Sequence, residues 1–113
     1  MKTFYRVSHV ETQQGLWYDI NGSFTGLIHN QMNFCKNNGL LMDFDEEIVG
    51  YLSAVPSIED LYKWFTREDI FKLQERNFFI HVYETDSYKF YEKFQHHVIN
   101  KNNSLLTQKI ILL

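Results

Sequence analysis

Three side chains in this sequence have the types and the spacing to hold a flat ring. His9 stands in the segment YRVSH near the N-terminus. Tyr51 stands in GYLSA together with Ser53, and Tyr62 follows Tyr51 by eleven residues in IEDLYKW. An electron-poor ring such as nicotinamide is held between aromatic faces, with backbone groups on its carboxamide. Tyr51 and Tyr62 supply two such faces if the chain turns back between them, and Pro56-Ser57 permits that turn. The alternative is that both are amphipathic core residues with a wet hydroxyl. In a strand, Tyr5, Val7 and His9 share one face, and Arg6, Ser8 and Val10 share the other. A histidine so placed reaches a ribose hydroxyl, or else simply ends the strand near solvent.

The other chemistry-bearing residues are less organised. His96 and His97 are adjacent, so in a strand they point to opposite faces and cannot ligate one ion together. His29, His81 and Cys35 show no ligand spacing, and no metal is expected. The run Asp43-Phe44-Asp45-Glu46-Glu47 reads as a solvated loop. Its sharper reading is a partner-binding patch that docks a basic protein or mimics phosphates, with Phe44 as the apolar anchor. No nucleophile motif, phosphate loop or dinucleotide glycine fingerprint is present.

The elements that would position these residues follow from local pattern. Residues 3–10 are aromatic and β-branched and predict a strand. Asn21-Gly22 predicts a hairpin turn, and residues 25–37 a helix stopped by Asn38-Gly39. A short apolar run over 40–44 meets the acidic cluster, and residues 48–54 predict a strand. Pro56 forbids its continuation, and Ser57 with Asp60 starts a helix with Ile58, Leu61, Tyr62 and Phe65 on one face. Thr66 with Asp69 caps a second helix, whose core face carries Ile70, Leu73 and Phe71, and Asn77 ends it. Residues 78–83 predict a strand and 85–87 a loop. Residues 88–93 fit a helical turn or an irregular segment equally. Strands over 94–99 and 105–113 are joined by Asn100 to Asn103. The order predicts an α+β fold with a mainly antiparallel sheet and two to three helices.

Composition bounds the rest. The 113 residues suit one domain, spanning 1–113. Hydrophobic residues make up 44% and aromatic residues 17%, enough apolar surface to offset chain entropy. A formal charge of −3 gives no general attraction to nucleic acid or anionic membrane, so neither is expected as a partner. A single cysteine, Cys35, cannot form an internal disulfide. With no signal-like N-terminal pattern and no apolar run of spanning length, a cytoplasmic location is expected.

The His9, Tyr51 and Tyr62 pattern resembles the ADP-ribosyltransferase superfamily, in its diphtheria-toxin and poly(ADP-ribose)-polymerase-like branch. That branch has a His on the first strand, a Tyr within a Gly-x-Tyr-Phe-Ala-like strand, a second Tyr eleven residues later on a helix, and a Glu at the head of a late strand. Here the first three are His9 in YRVSH, Tyr51 in GYLSA and Tyr62 in IEDLYKW. The late segments FQHHVI and NKNNSLLTQKIIL look like the family's last hairpin. The resemblance implies an NAD site formed by His9, Tyr51, Ser53 and Tyr62. It implies a catalytic position at Gln95 or Glu92. The family carries Gly after its His, where Val10 stands here. It carries a carboxylate at the position of Gln95, where an amide keeps a hydrogen bond but not the charge. Such a loss costs on the order of 10²-fold or more in rate.

The small size and single domain also look like accessory proteins of large tailed phages. Two readings result. The first is an accessory protein in the host-cell cytoplasm that binds and inhibits a host or defence protein. The second is a mono-ADP-ribosyltransferase acting on a macromolecule. A plain structural subunit is a third.

Overall fold

The computed structural model describes residues 1–16 and 45–113. The expected hairpin at Asn21-Gly22, the helix over 25–37 and the apolar run over 40–44 lie outside the described residues. So do His29, Cys35, Asp43 and Phe44.

Six strands and two α-helices are present among the described residues. β1 spans Lys2–His9, and a short 3₁₀ turn spans Glu46–Ile48. β2 is Tyr51–Ala54, α1 is Ile58–Trp64 and α2 is Arg67–Gln74. β3 is Phe78–Thr85, β4 is Tyr88–Tyr91, β5 is His96–Asn100 and β6 is Ser104–Ile110. All pairings are antiparallel and the class is α+β, as the pattern predicts.

The strands form two three-stranded sheets rather than one, ordered β1-β3-β6 and β2-β5-β4. Among the described residues a single bridge joins them, with Tyr5 and Val55 exchanging two backbone hydrogen bonds of 2.8 and 3.0 Å. Pro56 follows at once and has no N–H to extend the pairing. The bridge therefore acts as a hinge line across which the second sheet folds over the first.

Helix starts are where local chemistry predicts them. Ser57 Oγ accepts from Asp60 N, and Thr66 and Asp69 form a reciprocal capping box. Asn77 ends the second helical region in the left-handed conformation, at φ 67°. Several boundaries differ from expectation: the strand expected over 94–99 begins at His96, and Thr85, expected in a loop, ends β3. Residues 88–93 resolve into β4 and a tight turn. The strand expected over 48–54 begins only at Tyr51, because Asp45 caps a 3₁₀ turn and Gly50 turns the chain at φ 87°. β6 stops at Ile110, since the Gln74 side-chain amide captures the Leu112 backbone through bonds of 2.8 and 3.0 Å.

Three core clusters result. Val7, Phe78 and Ile80 pack against Leu61, Phe65, Ile70 and Leu73 of the helices. Phe4, Leu52, Ala54, Tyr83 and Ile99 fill the space between the sheets. Ile48, Tyr91, Phe94 and Val98 close the far face of the second sheet. No helix among the described residues is long and apolar enough to cross a membrane.

Candidate functional site

Strand alternation sorts β1 into two faces. One carries Tyr5, Val7 and His9 toward the helices. The other carries Phe4, Arg6 and Ser8, and antiparallel register sets Arg6 opposite His81 and Phe4 opposite Tyr83. Arg6, Ser8, His81 and Tyr83 are all buried. Burying such groups is costly unless they are hydrogen-bonded, and each of the four side chains makes at least one hydrogen bond here.

Gln13 organises the network. Its residue sits in the turn after β1 at φ 60°, a left-handed position rare for a side chain other than glycine. Its Oε1 accepts from Ser8 Oγ at 3.2 Å and from the Tyr83 hydroxyl. Its Nε2 donates to Val10 O at 3.2 Å and faces His81 Nε2 at 3.4 Å. Ser8 Oγ lies 2.8 Å from His81 Nδ1. One proton assignment satisfies this ring of groups. His81 Nδ1–H donates to Ser8, Ser8 O–H donates to Gln13, and Gln13 N–H points back at His81 Nε2.

Arg6 carries the network to the second sheet. It donates to Gln13 O at 3.2 Å and to Ser53 O at 2.9 Å. Gly15 makes room for it, since a Cβ there would lie 3.2 Å from Arg6 Nη2. The Ser53 hydroxyl in turn bonds His96 Nε2 at 2.9 Å, and the His96 ring meets Trp64 edge-on. Burial pushes both His81 and His96 down to about 4, with the Arg6 charge adding to the effect at His81. Burial also pushes the Tyr83 hydroxyl up. At neutral pH both imidazoles are uncharged.

A serine 2.8 Å from a histidine is within reach of nucleophile–base chemistry. Here, however, Ser8 is 0% exposed and its proton is committed to Gln13. The pair is closed to a substrate in this arrangement. It pins the Gln13 turn against the first sheet, while Arg6 makes the tie to the second.

The residues singled out by sequence are dispersed. His9 lies on the helix side of β1, its ring edge-on to Phe78, and accepts from Glu11 N at 3.2 Å. Tyr62 borders the same cluster, and its hydroxyl accepts from Arg67 at 3.1 Å. Tyr51 borders a different cluster, on the second sheet, with Lys89 Nζ 4.7 Å from its ring centre. The structure thus brings His9 and Tyr62 to one cluster, Tyr51 to another, and Ser53 to the polar network. Glu92 and Gln95 sit exposed in the turn between β4 and β5, with Gln95 directly before the first residue of β5. Gln95 takes the left-handed position there at φ 57°, its Nε2 donating to Glu92 O at 2.6 Å.

The acidic patch is partly spent inside the molecule. Asp45 accepts from Glu47 N at 3.0 Å, from the Tyr91 hydroxyl, and from Lys93 at 3.3 Å. The Tyr91 bond above all, then the Glu47 N–H, holds the Asp45 carboxyl below its usual range. Desolvation and the two carboxylates push Tyr91 up to about 12. Glu47 also accepts from Tyr91 at 3.2 Å and faces Lys93 at 3.7 Å. Glu46 remains exposed.

Another surface went unread. Tyr88 and Phe90, two apart on β4, share a face and are 40% and 49% exposed. Tyr88 tilts against Phe4 at 5.0 Å, Phe90 meets His97 edge-on at 5.2 Å, and Lys2 lies 5.5 Å from the Tyr88 ring centre. The Tyr-x-Phe spacing was the available signal, but it counts only once residues 88–91 are known to be a strand. Likewise Arg6, Ser8, His81 and Tyr83 were visible as polar alternates within apolar strands. Their meaning depended on both faces of the sheet being covered.

A family model described as Bacteriophage T4 Y00F protein matches residues 1–112. No curated protein matches the chain, and no solved structure does.

Proposed function

The chain belongs to the Bacteriophage T4 Y00F protein family, and we propose that it is a phage accessory protein that binds a host or defence protein without performing chemistry on it. The observation that carries this reading is the exposed aromatic surface of Tyr88 and Phe90, backed by His97 and the buried Phe4. Aromatic side chains held rigid at the surface are the usual anchors of protein interfaces, because they bury large areas at small entropic cost. The site expected for catalysis gives less support. Gln95 serves as a turn residue, and the two tyrosines expected to sandwich nicotinamide border separate clusters.

The inhibitory role would follow from occupying a surface of the partner, in the cytoplasm of the infected cell. A photo-cross-linking residue placed at Phe90 is expected to give one discrete adduct in host lysate. The same residue at Glu68, on the exposed side of α2, is expected to give none. Equal labelling from both positions sinks the reading. NAD is the competing ligand: a rise in melting temperature with NAD that Tyr62→Ala abolishes would favour the nicotinamide pocket instead.

A further inference from the structure

The aromatic surface lies on the outermost strand of its sheet. β4 pairs with β5 on one side, and among the described residues no strand lies on the other. Its outward backbone N–H and C=O groups form a template for one more strand. Of the other edge strands, β1 is met at Tyr5 by the Val55 bridge, β2 leads directly into that bridge, and β6 carries a register shift between Val82 and Tyr83 opposite its middle. Such a bulge twists an edge away from pairing. The β4 ladder runs without a shift.

Charge says what kind of strand would fit. Side chains of β4 alternate, with Tyr88 and Phe90 on one face and Lys89 and Tyr91 on the other. Lys89 is exposed and contacts the Tyr51 and Tyr91 rings at 4.7 and 5.9 Å. Lys2, beside Tyr88 on the opposite face, likewise lies over rings, those of Phe4 and Tyr88 at 5.8 and 5.5 Å. Neither lysine has a carboxylate partner among the described residues. The nearby acids are otherwise placed: Asp86 lies 3.6 Å from the Met1 nitrogen, Asp45 and Glu47 bond the Tyr91 hydroxyl and pair with Lys93, and Glu92 stands in the turn beyond the strand. β4 therefore offers an apolar face, a cation on each side and a backbone edge that no described strand covers.

We propose that β4 captures an extended acidic segment of a partner protein as an added strand. Its apolar side chains would lie on Tyr88 and Phe90, and its carboxylates would meet Lys89 and Lys2. This rests on the reading of the chain as a protein-binding module and names the partner's chemistry. β4 is short, so hydrogen bonds to it hold little by themselves. The aromatic contacts and the two lysines supply the rest, and the charge contribution weakens with salt.

The test uses the full chain and two labelled synthetic peptides long enough to span β4, one alternating valine with glutamate and one alternating valine with lysine. Fluorescence anisotropy at low salt is expected to show binding of the glutamate peptide only. Lys89→Glu is expected to weaken it by about tenfold and to let the lysine peptide bind. Phe90→Asp and N-methylation of the peptide backbone are each expected to abolish binding. Both substitutions fall on exposed positions, and an unchanged melting temperature would show that the fold is intact. Binding of both peptides alike, of neither, or of an oligothymidylate in their place would overturn the proposal. If Phe90 still cross-links a single host protein while the glutamate peptide fails to bind, the acidic strand falls and the binding module stands. Failure of both removes the two together.

Discussion

On one side of the β1–β3 pair, Val7, Phe78 and Ile80 meet the helices. On the other, Arg6, Ser8, His81 and Tyr83 are equally buried yet polar. The apolar side is held by area alone, at roughly 25 cal/mol per Å² removed from water, and tolerates some change of shape. On the polar side nearly every group must find its partner, because an unsatisfied buried donor or acceptor costs about 1–3 kcal/mol. The same two strands thus carry one face that is robust and one that is brittle.

Acid should break the brittle face first, together with the Ser53–His96 contact that Arg6 joins to it, and with the largest effect. His81 and His96 ionise at about 4 in the folded protein and at the ordinary 6.5 when unfolded. The unfolded chain therefore takes up protons first as pH falls. Stability is full above about 6.5, declines through the window down to about 4, and there loses about 3 kcal/mol for each histidine. The carboxylates of Asp45 and Asp60, held below 3.8, act beneath that window. Denaturant midpoints across this pH range check the slope. A flat profile between 6.5 and 4 would show that the imidazoles are not enclosed as described.

Ile80→Ala probes the robust face. Ile80 is fully buried against both helices, so the truncation should cost about 4 kcal/mol, with the acid response unchanged. Ser8→Ala probes the polar face alone. It removes the partner of His81 Nδ1 and one donor to Gln13 Oε1, and should cost about 2 kcal/mol. A cost near zero would mean that the network fills space without needing its bonds. The smallest effect belongs to the edge of the apolar side. Thr66→Ala removes the reciprocal cap of α2 and should cost about 1 kcal/mol by thermal unfolding.

Legibility followed the same division. Ser57 and Thr66 announced their helices because a cap is a bond between residues three apart. The alternation of β1 and the helix stop at Asn77 were equally local. Residues 88–91 were not legible as a strand, because Tyr88, Lys89 and Phe90 are exposed and gain their order from pairing with β5. Gln95 illustrates the same limit. By resemblance it fell on a catalytic position, whereas its backbone serves a left-handed turn that only the β4–β5 pairing imposes.

The sequence by itself determined an α+β chain, its helix starts and most of its strands, since these rest on contacts between near neighbours. Only the tertiary structure decided which polar residues are enclosed and which aromatic ones are left outside. Ser8 and His81 are 73 positions apart, and Gln13 and Tyr83 are 70. Nothing in either segment alone shows that the far face of the strand will be covered. Burial is a property of what packs on top, and that is settled when the two sheets fold over one another at the Tyr5–Val55 bridge.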